Sequence, residues 1–554
     1  MNRRIRLLLA ILLLAFAVLL GRAAWLQGVQ AGSLGKLAAR QHHETVVLPA
    51  SRGTIFDRMG VQLAIGEQAT TVYADPQQVR DPRLVAEAAH QTLGVDASKL
   101  YPQLLDKTKS FVYIQRKADP VLAAKLLNRK LVGVGSYPEE RRTYPQGAVA
   151  SHVLGFAGVD NNGLAGLELE LDKTLAGRPG SETIVKDALD HPIDVKDERP
   201  ARDGRDVFLT IDHTIQANAE SVLRATVARW GAKSATAIVL DPKTGAVLAM
   251  AVAPGFRSDD FGSTSPSVTR NVAVTDVYEP GSTFKLVTVA GVLADGDVTP
   301  QTAFTLPYSI HVADRVVHDA EERGTETLSV ARILAQSSNV GAITLARQFL
   351  GKERLSSWIS RFGFGRATGV GFPGESPGFV LPPDKWSGST IGNVPIGQGI
   401  AVTPVQMAAA YAAIANRGTW VQPHLVERVA GSPPARPAKR RILSRRVAAE
   451  LNAMLQNVVL DGTGTLAAVP GYKVAGKTGT AQIPDEHGYS TDRYVASFVG
   501  MVPASKPRLV ILVKVAEPHG QIWGGVVAAP AFAQIAAYDL QYLEVPPDAV
   551  SSAR

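Results

Sequence analysis

Three short motifs carry the side chains that could do chemistry, and they follow one another along the chain: Ser282-Thr283-Phe284-Lys285, Ser337-Ser338-Asn339 and Lys477-Thr478-Gly479-Thr480. A serine hydroxyl becomes a nucleophile when a base takes its proton. Glu279-Pro280-Gly281 reads as a loop and the apolar run Phe284 to Leu293 as a buried helix. Ser282 is therefore expected at a helix N-terminus, with Lys285 one turn on along the same face. Free lysine, with a pKa of about 10.4, is protonated at neutral pH. Burial in that helix would lower its pKa and supply a neutral amine, while the positive helix end favours the attacking alkoxide. Ser337 and Asn339 fall between two helical stretches, Ala331 to Gln336 and Val340 to Phe349. A hydroxyl and an amide there could relay a proton to a leaving amine and hold a peptide carbonyl. Lys477 to Thr480 follows Gly471 and Gly476 and leads into Ala481-Gln482, the pattern of a strand edge beside a cleft. An ammonium and hydroxyls on such an edge can bind a carboxylate, and Gly479 lets backbone approach backbone.

Each motif alone is weak. A Ser followed three residues later by Lys is expected about once by chance in a chain of this length, and Ser33-Leu34-Gly35-Lys36 is such a decoy. Lys243-Thr244-Gly245 is a decoy for the third motif, because it sits in Asp241-Pro242-Lys243-Thr244-Gly245, a strong turn sequence. Taken singly, Ser282 and Lys285 read equally well as a helix-capping serine and a surface lysine, and Ser337 and Asn339 as polar residues at a helix kink. Three motifs in order argue for a common site.

The elements that must position them are legible around these motifs. Ile215, Ala219, Val222, Leu223, Val227 and Trp230 mark one helical face ending near Gly231. Hairpins are expected from Ala235 to Leu240 with Ala246 to Val252, and from Tyr494 to Met501 with Arg508 to Val515, and Ala531 to Leu543 reads as a closing helix. The expected fold class is α+β. Residues 212–544 form one antiparallel sheet covered by helices, with a helical subdomain between its strands. Residues 42–202, punctuated by short strand-like runs such as Thr54 to Phe56 and Val61 to Ile65, form an irregular β-rich module. Gly431 to Arg441 reads as a polar Pro-rich loop, and 545–554 as a frayed tail.

Composition narrows the function classes. The chain of 554 residues has no cysteine, which excludes thiol nucleophiles, cysteine zinc sites and disulfides. None of its 11 histidines lies in a His-Glu-x-x-His pair, so no metal or other cofactor is expected. The net charge of +8 arises from 58 basic and 50 acidic residues spread along the chain, without the basic stripe of a nucleic-acid-binding surface. Arg3, Arg4 and Arg6 precede an apolar run from Leu7 to Leu20, and a second short one reaches Leu26. The run alone fits a cleaved signal peptide almost as well, since a bilayer needs about 20 residues. Arg22 can snorkel and Trp25 suits the headgroup region, so residues 7–26 are expected to be an uncleaved anchor. By the positive-inside rule, residues 1–6 are cytoplasmic and the remainder lies outside the inner membrane.

With Ser282-x-x-Lys285, Ser337-x-Asn339 and Lys477-Thr478-Gly479 in this order, the chain resembles the penicillin-binding proteins. It resembles their class B along nearly its full length: Arg52 to Gly60, Arg142-Thr143-Tyr144-Pro145 with Gly147 and His152, Gly163 to Glu168, Gly397-Gln398-Gly399 with Thr403-Pro404, and Gly462-Thr463-Gly464 all match its pattern. Met59 departs from it, standing where a small polar turn residue is usual. The form Glu279-Pro280-Gly281-Ser282 and the lack of repeated C-terminal modules are most similar to the septal branch of the class.

The resemblance implies a peptidoglycan D,D-transpeptidase on a non-catalytic pedestal. Ser282 would attack the penultimate D-alanine carbonyl of a stem peptide, Lys285 would activate it, and Ser337 would pass a proton to the leaving amine. Asn339 would position the donor peptide, while Lys477, Thr478 and Thr480 would bind its terminal carboxylate. The backbone N–H groups of Ser282 and Thr480 would form the oxyanion hole. β-Lactams would be covalent inhibitors, and the implied partners are the inner membrane, a polymerase of the FtsW type and other division proteins. An elongation-specific transpeptidase, a D,D-carboxypeptidase and a non-enzymatic β-lactam receptor are the alternatives. A β-lactamase is disfavoured, because no Glu-x-x-Leu-Asn motif lies between Asn339 and Lys477. A bifunctional synthase is disfavoured because the residues before 212 do not resemble a glycosyltransferase.

Overall fold

A computed structural model describes residues 3–30, 32, 43–186, 192–486 and 488–548. The Ser33 to Lys36 decoy and the last six residues of the expected tail lie outside them. The chain divides into two compact units.

The first unit takes in Met1–Arg52 and Ala176–Gly204. Its α-helix Arg3–Ala24 continues through a π-helical turn, Trp25–Val29. With no described side chain of Arg3–Ala24 buried in protein, the run is long and apolar enough to cross a membrane. The same unit holds a three-stranded antiparallel sheet in the order His43–Leu48, Gly180–Lys186, Pro192–Arg199.

The second unit takes in Gly53–Leu175 and Arg205–Arg554. In its N-terminal part the strand-like runs at residues 54–56 and 61–65 pair as a hairpin, with Ile55–Phe56 against Gln62–Ala74. Asp57 shapes the turn, its Oδ1 accepting 2.8 Å bonds from the Met59 and Val61 N–H groups. Val207–Leu209 runs parallel to Ile55–Phe56 and antiparallel to Val426–Val429. One sheet thus joins residues on both sides of the expected 202–212 junction. The β-rich reading omits a helical lobe: Pro82–Leu93, Ala97–Leu105 and Pro120–Leu127, capped by Asp81, Asp96 and Asp119. These helices bury Val85, Ala89, Leu100, Leu104 and Leu126 against Val72 and Ile114 of the sheet.

The pedestal motifs of the sequence converge on one buried ion pair. Arg142 Nε donates to Glu168 Oε1 at 2.6 Å, and its Nη1 donates to the Gly53 carbonyl at 2.9 Å. His152 of the same motifs is also buried and is hydrogen-bonded to the Val268 carbonyl at 2.7 Å, and burial pushes its pKa down to about 4.

The C-terminal part is built on a five-stranded antiparallel sheet in the order Val247–Ala253, Ser234–Leu240, Leu509–Ala516, Gly488–Val502, Ala475–Asp485. Helix His213–Trp230, capped by Asp212 and closed by left-handed Gly231, packs on it with Ala529–Tyr542. On the other side are the helices Lys285–Ala294, Val330–Ala335, Asn339–Leu345, Gly351–Phe362, Pro404–Ala415 and Arg445–Leu460, around one apolar core. Pro404–Ala415 is buried throughout, so hydrophobic side chains surround it rather than forming a stripe. The expected Pro-rich loop ends differently, in that Lys439–Arg441 is a strand paired with Thr419–Val421.

Candidate active site

Ser282 stands on a 3₁₀ turn, Gly281–Phe284, which runs directly into the α-helix starting at Lys285. The expected helix start is therefore tighter than an α-turn. In 3₁₀ geometry side chains three apart eclipse, which sets the Lys285 side chain beneath Ser282. Ser282 is half-buried at the mouth, whereas Lys285 is fully buried.

Lys285 Nζ is hydrogen-bonded to the Ser337 carbonyl, to Asn339 Oδ1 at 2.7 Å and, more loosely, to Ser337 Oγ at 3.3 Å. Among the described residues it makes no hydrogen bond to the Ser282 hydroxyl. Burial pushes its pKa down to about 7, with Asp319 opposing the shift. A neutral amine has two N–H groups and one lone pair. The Ser337 carbonyl and Asn339 can take both N–H groups, leaving the lone pair for a hydroxyl proton.

The second motif has an organiser that its own sequence does not reveal. Asp319, buried and 19 residues before Ser338, accepts from Ser338 Oγ at 3.0 and 3.1 Å and from the Val340 N–H at 2.9 Å. Arg323 pairs with it at 2.6 Å. Ser338 in turn caps helix Asn339–Leu345 through the Gly341 N–H. Ser337 is held in the left-handed region at φ 62°, a conformation that costs a non-glycine residue about 1 kcal/mol or more. Between these ties Ser337 and Asn339 are aimed at Lys285. The only local hint was the density of charge from Asp319 to Arg323.

The third motif lies on the sheet's edge strand, Ala475–Asp485, and strand alternation sorts its side chains. Thr478, Thr480 and Gln482 line the cleft. Lys477 has the opposite parity and is fully buried, its ammonium turned back to the Thr478 carbonyl at 3.2 Å and hydroxyl at 3.1 Å. Burial holds its pKa well below the ordinary lysine value, and the Lys285 charge acts in the same direction. The Thr478 hydroxyl also meets Thr463 Oγ1 at 2.7 Å, which gives Gly462-Thr463-Gly464 a place beside the site. Thr480 Oγ1 accepts from the Gly524 N–H at 3.0 Å. A Cβ on Gly479 would lie 2.9 Å from the Pro280 carbonyl, so the strand packs on the loop that carries Ser282 only because no side chain intervenes.

Ser282, Ser337, Asn339, Thr478 and Thr480 share one cleft of about 1160 Å³, large enough for a peptide segment. Lys243, by contrast, is exposed on its turn, with its N–H bonded to Asp241 Oδ1 at 2.9 Å. Among the described residues one group, Asp57, Asp212 and His213, brings donor atoms within 4.8 Å of one another as a cation would require. Its atoms are already engaged: Asp57 holds the hairpin turn and His213 Nδ1 at 2.6 Å, and Asp212 caps its helix.

Residues 235–537 match the family model of the penicillin-binding protein transpeptidase domain, and 47–209 that of the penicillin-binding protein dimerisation domain. The chain is 34% identical to the peptidoglycan D,D-transpeptidase FtsI of Escherichia coli K12, over 99% of this chain and 93% of that one. It is 36% identical to penicillin-binding protein PbpB of Mycolicibacterium smegmatis, over 94% and 87% respectively. Among solved structures, penicillin-binding protein 3 of Mycobacterium tuberculosis in complex with aztreonam superposes with a TM-score of 0.72 at 32% identity, covering 91% of this chain and 98% of that one. The chain, with a dimerisation domain ahead of a transpeptidase domain, belongs to the class B penicillin-binding proteins.

Proposed function

We propose that this protein is a serine-type peptidoglycan D,D-transpeptidase that cross-links stem peptides during septal wall synthesis and is acylated by β-lactams. The observation that carries the reading is the fully buried Lys285, with its pKa near 7 and its N–H groups directed at Ser337 and Asn339, directly after the cleft-lining Ser282.

In the first half-reaction Ser282 Oγ attacks the carbonyl carbon of the penultimate D-alanine as its proton passes to Lys285 Nζ. The developing oxyanion is held by the backbone N–H groups of Ser282 and Thr480, each worth about 3 kcal/mol of barrier. The carbon–nitrogen bond breaks, and the amine of the terminal D-alanine takes a proton from Lys285 by way of Ser337 Oγ, which is 3.3 Å from Nζ. Asn339 holds the donor backbone. Thr478 and Thr480 donate to the terminal carboxylate, since the Thr480 oxygen already accepts from Gly524 and its hydroxyl proton is left to give. Lys477 supports them through its bonds to the Thr478 carbonyl and hydroxyl, and Gly479 keeps the approach open. In the second half-reaction an amine of a neighbouring stem attacks the ester, loses its proton along the same path and restores Ser282. In a β-lactam the leaving nitrogen stays tethered, so the ester persists.

The helix Arg3–Val29 would anchor the protein in the inner membrane, with residues 1–6 cytoplasmic and the catalytic part outside. We assign residues 42–202 to the pedestal and 212–544 to the transpeptidase. A polymerase of the FtsW type is the partner we expect. The test is to supply full-length protein with polymerised pentapeptide strands and measure both D-alanine release and cross-linked product. D-Alanine without cross-links would mark a carboxypeptidase, and neither product would refute the reading. Depletion in cells should give filaments, whereas round cells would indicate the elongation role.

A further inference from the structure

Glu279, three residues before Ser282, has no part in the chemistry above, yet it ties together two other segments. Its Oε1 accepts from the Gly399 N–H at 2.8 Å and from the Tyr489 hydroxyl at 3.1 Å. Its other oxygen, Oε2, is buried without a hydrogen-bond partner among the described residues. A carboxylate left half-satisfied costs stability, so its presence here calls for another reason.

The first tie belongs to a seam along the nucleophile loop. Tyr278 and Val402 exchange backbone hydrogen bonds at 3.0 and 2.9 Å, and the Gly281 N–H donates to the Gly397 carbonyl at 3.0 Å. The second tie crosses to the tip of the hairpin that carries the third motif. Tyr489 lies opposite Pro484 of the edge strand, beyond a register shift between Gln482 and Pro484. Proline has no N–H to give the ladder, so the tip is held weakly by its own backbone. Ser282, Gln482 and Tyr489 all line the cleft.

We propose that the Glu279–Tyr489 hydrogen bond is a latch that fixes the hairpin tip to the nucleophile loop and so sets Ser282 against the strand that receives the donor peptide. Glu279 and Tyr489 are positioning residues, and the inference rests on the acyl-transfer reading. The latch predicts an effect on the acylation step rather than on the first, non-covalent encounter with the ligand.

The test uses the full-length protein in detergent and fluorescent penicillin, resolving the non-covalent Kd from the limiting acylation rate. Tyr489→Phe and Glu279→Ala should each slow the limiting rate about tenfold, the scale of one hydrogen bond to a charged group, with Kd little changed. Glu279→Gln, which keeps an acceptor oxygen, should stay within about threefold of the wild type. The double variant Glu279→Ala/Tyr489→Phe should be no slower than Glu279→Ala alone, because both remove one interaction. A wild-type rate in Tyr489→Phe, or effects that multiply in the double variant, would overturn the latch while leaving acylation intact. A wild-type protein that takes no label would overturn the acyl-transfer reading itself.

Discussion

Lys285 Nζ lies 2.7 Å from Asn339 Oδ1, so an amine on one helix is aimed by an amide at the start of another. The two residues are 54 positions apart in the chain, and their meeting brings two motifs that are weak singly into one cluster.

The burial of Lys285 gives acylation a defined pH dependence. The base must be neutral, and its pKa is pushed down to about 7. Acylation should therefore rise with pH through about 7 and level off above it, falling about tenfold from pH 8 to pH 6. A stopped-flow rate profile with fluorescent penicillin checks this. A rate that is flat across that range would mean that Lys285 is not the base.

Asp319 opposes the shift of Lys285, because its negative charge favours the ammonium. Asp319→Asn should thus move the acidic limb of the profile to lower pH. It should also slow the plateau, since the ties to Ser338, Val340 and Arg323 are weakened. A limb that moves to higher pH would contradict the assigned electrostatics.

In the pedestal, Glu168→Ala leaves the Arg142 guanidinium buried and uncompensated. Loss of about 3 to 5 kcal/mol of stability is expected, and a double replacement of Arg142 and Glu168 by apolar residues should cost less than either single change. Denaturant unfolding of the full-length protein measures both.

The two lysine-threonine-glycine sequences should separate cleanly. Lys477→Ala should cut acylation by more than about tenfold through loss of its bonds to Thr478. Lys243→Ala, on an exposed turn, should leave the rate unchanged. Equal effects would mean that the third motif is misassigned.

How much of this was legible in the sequence follows from how local each signal is. Ser282 and Lys285 are three apart on one element, and the turn at Asp241 to Gly245 is closed by its own residues, so both could be read directly. Asp319 could not, because what matters is its contact with Ser338, and Glu321 and Glu322 beside it carry the same charge without that role. The burial of Lys477 depends on which face of the edge strand meets the cleft, a matter of pairing that the motif alone does not encode. The pedestal helices had readable start signals in Asp81-Pro82 and Asp119-Pro120, but short strand-like runs dominated the pattern. Strand Lys439–Arg441 exists only by pairing with Thr419–Val421, and its polar composition carried no sign of it.

The central claim is that Ser282 is the acylated nucleophile. Full-length protein incubated with fluorescent penicillin should carry one covalent adduct, located by peptide mass spectrometry on Ser282, and Ser282→Ala should carry none. Labelling that persists in Ser282→Ala, or an adduct on any other residue, would contradict that claim.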